Sequence, residues 1–438
     1  MDKRILPFLL GIFCFLVLIC ASIPSKSQPN NSKLLEQILS GIPNEAANNV
    51  INDPVRFRCQ IIYTQINRNA KGTPHFTHHR FNVDSNCYFN PASMVKMPLA
   101  FLSLEKLNEM KIPGINKYTS MAFDSSHEKQ VAMTTDSSAK NFKPSIAQFI
   151  RRAMLISEND PYNRMYQFVG QERANRKLIE KGYTSSRITR QFMGYTEDQN
   201  RHTNGILFFD ELGKTIHQQA PAYNLDSFNF PAPILIGEKH INRNEELVNG
   251  PFDFTRHNNI SLDDMRQMLQ AVIFPQSVPP QQRFNISASD RKFMLQYMSQ
   301  YPSETPYPNY DSTLFYDSYV KFFFQDSTHK IPTHVRVFNK VGWAYGFMTD
   351  VSYVMDTKNN IDYMLSATVY VNSDGIINDS KYDEETVGFP FFKALGKAVY
   401  QYELQRHRTH QPLLEMKGVV YEKKDPLDKR APIRMADN

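Results

Sequence analysis

The hydrophobic pattern of the chain opens with a block unlike any that follows. Lys3 and Arg4 precede an unbroken apolar run over residues 5–20, and small or polar residues (Ala21, Ser22, Ser25, Ser27) come next. Charged, then greasy, then small is the order of a secretory signal. The run is shorter than the about 20 apolar residues of a membrane span, so residues 1–21 are expected to be a signal peptide or an anchor. Cys20 adds a second route, lipidation of a new N-terminal cysteine, although Ile19 is bulkier than the small residue expected before it. The polar stretch 22–45 reads as a tether.

Beyond it the pattern alternates between strand and helix periods. Residues 56–67 and 76–83 are rich in β-branched and aromatic side chains, and the turn Asn69-Ala70-Lys71-Gly72 between them predicts a hairpin. A helical period follows Asn90-Pro91, with Val95, Leu99, Leu102 and Leu107 on one side and Pro98 in the first turns, where it is tolerated. Further helices are predicted over 144–156, 162–169, 171–181, 261–274 and 289–301, the fourth of them capped by Ser261 with Asp264. Strand composition returns over 335–343, 347–356 and 363–372, and a last helix covers 389–407. Strands at both ends with helices between predict one sheet assembled from distant segments. The charged tail 411–438 is expected to be loose.

Composition narrows the classes. The 438 residues carry 50 basic and 44 acidic side chains, a net charge of +6 without a dense basic face, so nucleic acid is not an expected partner. After the signal only Cys59 and Cys87 remain, too few for a disulfide framework or a thiolate metal site, and two buried free thiols are expected. His75, His78 and His79 suggest a metal, but neighbours in a strand point to opposite faces, so neither metal nor cofactor is expected. Trp343, Tyr345 and Phe347 stand at alternate positions and are expected to share one strand face, packing into the core.

Three short motifs carry chemistry. Ser93-Met94-Val95-Lys96 puts a lysine amine one helical turn from a serine hydroxyl, at a helix start whose dipole favours developing negative charge. A lysine desolvated there can lose its proton near neutral pH and act as base. Ser157-Glu158-Asn159 offers a hydroxyl to relay protons and a carboxamide to hold a substrate amide. Lys340-Val341-Gly342 offers an amine for a substrate carboxylate, a glycine that allows close approach, and the Trp343 N–H as partner to that of Ser93 in an oxyanion hole. Taken singly they read as a helix start, a polar cap and a solvent-facing lysine.

Taken in order they resemble the Ser-x-x-Lys, Ser-Asp-Asn and Lys-Thr-Gly set of class A β-lactamases and penicillin-binding proteins. The likeness extends to the segments around them, over about residues 45–205 and 258–407. The resemblance implies an α+β fold of the β-lactamase/transpeptidase type, with an antiparallel sheet flanked by helices plus an all-helical subdomain, the catalytic domain covering 46–410. It implies Ser93 as nucleophile, Lys96 and Ser157 as proton carriers, Asn159 and Lys340 as substrate holders with Gly342, and the Ser93 and Trp343 amides as oxyanion hole. The substrate would be a small-molecule β-lactam or a cell-wall peptide, met outside the cytoplasm by a monomer whose membrane contact is limited to the N-terminal segment or a lipid. A non-catalytic relative that keeps the cleft for binding is the competing reading.

The departures bear on turnover. Glu158 replaces Asp, a mild change. Val341 replaces a hydroxyl residue and is expected to remove one hydrogen bond to a substrate carboxylate. The return strand carries no Lys or Arg. The deacylating glutamate of class A enzymes has no clear counterpart over 188–198, where Glu197 is the nearest carboxylate, so slow deacylation is expected. A polar insertion at about 205–257 is expected either to reshape access to the cleft or to be a surface excursion.

Overall fold

The computed structural model describes residues 31–412, 419–424 and 428–436. The signal or anchor, Cys20 and the first residues of the expected tether lie outside them. The helices are α1 (Lys33–Ser40), α2 (Glu45–Asn52), α3 (Lys96–Met110), α4 (Ile146–Leu155), α5 (Asn159–Val169), α6 (Gln171–Glu180), α7 (Glu197–Arg201), α8 (Leu262–Ile273), α9 (Ala288–Ser299) and α10 (Phe389–Gln405). The long strands are β1 (Gln60–Arg68) and β2 (Pro74–Phe81) near the start of the chain and β10 (Val335–Ala344), β11 (Phe347–Asp356) and β12 (Ile361–Tyr370) towards its end. Shorter ones lie between and after them: β3 (Ser120–Phe123), β4 (Ile206–Phe209), β5 (Thr215–Gln219), β6 (Leu235–Ile236), β7 (Lys239–Ile241), β8 (Leu247–Asn249), β9 (Phe252–Asp253) and β13 (Ile376–Ile377).

The long strands form one antiparallel sheet in the order β10-β11-β12-β1-β2. β1 therefore pairs with β12 across some 300 residues of chain, Ile62 opposite Ser366 and Tyr63 opposite Leu365. Both faces are covered. On one, α3 to α6, α8 and α9 build a core around Phe101, Phe149 and Tyr166; on the other, α1, α2 and α10 close a second core around Tyr63, Val337 and Phe392. This is the expected α+β arrangement of a sheet flanked by helices. The helical layer also carries a small sheet, β3-β4-β5, to which the insertion contributes two strands.

Four expectations are corrected. The tether does not extend to residue 45: α1 and α2 are helices whose apolar side (Leu35, Leu39, Ala47, Val50) is fully buried in the second core. The tail is docked where it is described, for Tyr421 bonds Ser299 and stacks under Arg336, and Ile433 bridges to Tyr310. Trp343, Tyr345 and Phe347 do not share a face. Tyr345 and Gly346 form the turn between β10 and β11 in left-handed conformations (φ 56° and 77°), so Trp343 packs on Phe322 behind the sheet while Phe347 packs on Tyr88 in front. Cys59 is buried but Cys87 is only half-buried, and they form no disulfide.

His78 bonds Thr64 and His79 bonds Ser32 on opposite sides of β2, as strand alternation requires. No helix among the described residues is long and apolar enough to cross a membrane.

Candidate active site

The segment before α3 is a tight 3-10 turn, Ala92–Val95, rather than the first turn of the α-helix itself. Ala92 is left-handed (φ 43°), a conformation that costs a non-glycine residue energy and persists only when its surroundings hold it. Asn90 holds it, its Oδ1 accepting the Ala92 N–H at 2.8 Å. The result half-exposes the Ser93 hydroxyl while Lys96 is wholly buried beneath it.

Gly342 shows how closely β10 packs on this turn. A Cβ there would lie 2.4 Å from the Pro91 carbonyl oxygen and 2.9 Å from the Met94 nitrogen. Only glycine fits.

The three motifs meet at one point. Lys96 Nζ lies 2.8 Å from Ser93 Oγ, 2.8 Å from Asn159 Oδ1 and 3.3 Å from Ser157 Oγ, and donates to the Ser157 carbonyl. Ser157 is itself left-handed (φ 71°), which turns its hydroxyl between the two lysines. Lys340 Nζ donates to Ser157 Oγ at 2.7 Å and to the Val341 carbonyl at 2.7 Å.

This donor set suits both protonation states of Lys96. A neutral amine gives its two N–H groups to the Ser157 carbonyl and Asn159 and offers its lone pair to the Ser93 hydroxyl; an ammonium gives a third N–H to the same oxygen. A proton can thus pass from Ser93 to Lys96 with no heavy atom displaced. Burial, and next the charge of Lys340, hold the Lys96 amine well below the usual lysine range, against a smaller opposing effect of Glu158. Lys340 is lowered in the same way by burial and by Lys321.

Glu158 takes no part in that cluster. It is buried, paired with Arg152 at 2.6 Å and bonded by the Tyr310 hydroxyl, and Arg152 also reaches Asp136 at 3.4 Å. This network anchors the Ser157 turn from behind, and removing one partner of a buried pair costs about 3–5 kcal/mol.

A cavity of 700 Å³ opens over Ser93, with Ser157, Asn159 and Trp343 on its wall. Lys96 and Lys340 stay beneath that wall. Among the described residues the wall carries no Asp or Glu, and Arg190 is its one Lys or Arg side chain. Arg190 donates to His257 Nε2 at 2.7 Å; burial, and then Arg190, push the His257 imidazole down to about 3, so this pair keeps the positive charge of the guanidinium. The insertion supplies His257, and its Phe254 packs on Tyr345 at 5.4 Å between ring centroids, so part of it borders the cleft.

Two expectations about turnover residues are refined. Val341 is fully buried in the core behind the sheet, on the opposite face from Lys340, so its side chain does not face the cavity. Glu197 points away, exposed and paired with Arg256. What stands against Lys96 is Phe192, whose ring centroid is 5.3 Å from the amine and which stacks on Tyr162 at 4.4 Å. Asn90, Arg190, Phe192 and His257 were not singled out by motif. Residues 188–192 carry no motif, and packing alone brings Arg190 and Phe192 to the cavity.

The chain matches the model of the β-lactamase enzyme family over residues 44–402. Among solved structures it is similar to a β-lactamase from Chitinophaga pinensis DSM 2588 (10% identity, 81% of this chain and 97% of that one, TM-score 0.46). It is also similar to PBP-A (13%, 87% and 100%, 0.45). A β-lactamase from Sphaerobacter thermophilus DSM 20745 follows (10%, 85% and 97%, 0.44). No curated protein matches.

Proposed function

The chain belongs to the β-lactamase enzyme family, and from that premise we propose that it is an exported serine hydrolase that forms an acyl-enzyme on Ser93 and releases it slowly. One observation carries the reading: Ser93, Lys96, Ser157 and Lys340 join in a continuous hydrogen-bonded chain beneath an open cavity.

In the proposed reaction neutral Lys96 takes the Ser93 proton as Oγ attacks the carbonyl carbon of an amide, cyclic or peptidic. The Ser93 and Trp343 N–H groups receive the oxyanion. As the C–N bond breaks, the Ser157 hydroxyl gives its proton to the leaving nitrogen and regains one from Lys96, with Lys340 orienting that hydroxyl. Asn159 aligns the substrate amide. Arg190, on a wall without acids, favours a substrate bearing a carboxylate, a task that Lys340 is too deeply buried to share.

Release needs a water activated beside the ester. Phe192 occupies the place next to Lys96 where a carboxylate would do this, which favours a long-lived acyl-enzyme of the penicillin-binding kind over rapid β-lactam turnover. The test is intact-protein mass spectrometry after exposure to a penicillin and to a fluorophosphonate, with Ser93→Ala as control. A stable adduct on Ser93 is expected. Rapid loss of a chromogenic cephalosporin would point to a working β-lactamase instead, and no labelling by either reagent would leave a binding protein.

A further inference from the structure

Away from the active site, His127, Asp198 and His202 come together. Asp198 and His202 stand one helical turn apart, on and just after α7, and His127 reaches them from the loop that follows β3. One ring nitrogen of each histidine and a carboxylate oxygen of Asp198 lie within 4.8 Å of one another, and among the described residues no other three His, Cys, Asp or Glu side chains converge in this way. The two imidazoles stack with centroids 3.6 Å apart, and His202 Nε2 is 3.6 Å from Asp198 Oδ2. Tyr223 donates to the other carboxylate oxygen, Oδ1, at 3.0 Å, which orients the group.

Two features separate this cluster from a chance grouping. The His127 Nδ1 atom is shut off from solvent with no hydrogen-bond partner, a state that folded proteins avoid. The donors also have the chemistry of a metal site and stand near enough to close on an ion. Donors about 2.0–2.1 Å from a tetrahedral ion lie about 3.4 Å from each other, close to the 3.6 Å between His202 Nε2 and Asp198 Oδ2; one imidazole turns out of the stack to aim its nitrogen at the ion, and Asp198 is exposed enough to swing inward. Two imidazoles and one carboxylate suit a borderline divalent cation, with a water in the open position.

We propose that His127, Asp198 and His202 bind a divalent cation of the Zn²⁺ class. The ion would bolt the 124–131 loop to α7, and α7 ends the segment whose Phe192, Met193 and Gly194 form one wall of the catalytic cavity. The Tyr195 hydroxyl already ties the residues just before α7 to that loop, donating to the Lys129 carbonyl at 2.7 Å. The ion is a clamp on that wall, outside the acylation chemistry, and the proposal does not depend on what Ser93 does.

The test uses the purified full chain after chelator treatment. Titration with Zn²⁺ should show one ion bound per chain in calorimetry, and a large excess of Zn²⁺ should raise Tm by about 2–5 °C. Co²⁺ in its place should give the visible absorption bands of a low-symmetry nitrogen and oxygen site. His127→Ala and His202→Ala should each weaken Zn²⁺ binding by about 10–100-fold or more. Asp198→Asn, at an exposed side chain that threatens no core, should weaken it too, and His75→Ala should leave it unchanged. Equal Zn²⁺ affinity in the wild type and in a His127→Ala/His202→Ala double variant would overturn the proposal, as would no uptake by the wild type.

Discussion

On the cavity side of β10, Lys96 and Lys340 are buried around the Ser157 hydroxyl; on the reverse side, Lys321 is buried just as completely. Lys321 donates to the carbonyls of Met298 (2.7 Å) and Val337 (3.0 Å) and to Asn339 Oδ1 (2.5 Å). Asn339 in turn bonds the buried Asp350 carboxylate at 2.9 Å. Burial pulls the Lys321 amine down and pushes the Asp350 carboxyl up, and each group's charge partly offsets the shift of the other. Three acceptors and a nearby carboxylate hold the Lys321 amine in place and make its role structural. Among the described residues Lys96 has no carboxylate in contact, and it has a second amine close by and a serine hydroxyl that opens onto a cavity. Two lysines equally removed from water thus differ in role because of what shares their burial, and burial alone assigns neither.

The widest separation is expected on substitution of the two amines. Lys96→Ala should slow acylation by about 10²–10⁴-fold while the protein stays folded, as measured by the time course of adduct mass. Lys321→Met should instead cost about 1–3 kcal/mol in urea unfolding, because the buried carbonyls of Met298 and Val337 and the Asn339 side chain lose their donor, and should leave acylation of the folded fraction near wild type. Wild-type acylation by Lys96→Ala would erase the contrast.

Phe192→Glu sharpens it by placing a carboxylate against Lys96. The acyl-enzyme lifetime should fall by about 10²-fold, read as decay of the adduct after free penicillin is removed. An unchanged lifetime would mean that Phe192 is not what withholds water.

Val341→Thr addresses the reverse face. A hydroxyl placed in that apolar core should cost about 1–3 kcal/mol of stability and bring no gain in affinity for a carboxylate substrate. Tighter substrate binding would show that the side chain reaches the cavity after all.

The smallest expected effect concerns pH. The folded pKa of Lys96 lies below its unfolded value of 10.5, so the acylation rate should climb as pH rises through the folded value and level off well before 10.5. The same displacement means that the unfolded chain binds more protons, so this residue's contribution to stability also grows with pH across that window. A pH–rate profile still climbing at 10.5 would show an ordinary lysine at this position.

Local patterns in the chain were enough to give the strands of the main sheet, the helices between them and the three motifs, because side-chain period, turn chemistry and an i, i+3 spacing are short-range properties. The likeness to penicillin-recognising enzymes rested on those motifs and extended to the joining of both chain ends in one sheet. Tertiary packing alone decided which side of β10 each residue faces, so Val341 fell behind the sheet and Trp343 parted from Phe347 at the left-handed Tyr345-Gly346 turn. It also brought Arg190, Phe192 and His257 to the cavity, seated α1 and α2 on the second core, and drew part of the charged tail onto Tyr310. Those contacts join segments tens to hundreds of residues apart, and their energy comes from shape and burial that no neighbouring residue records.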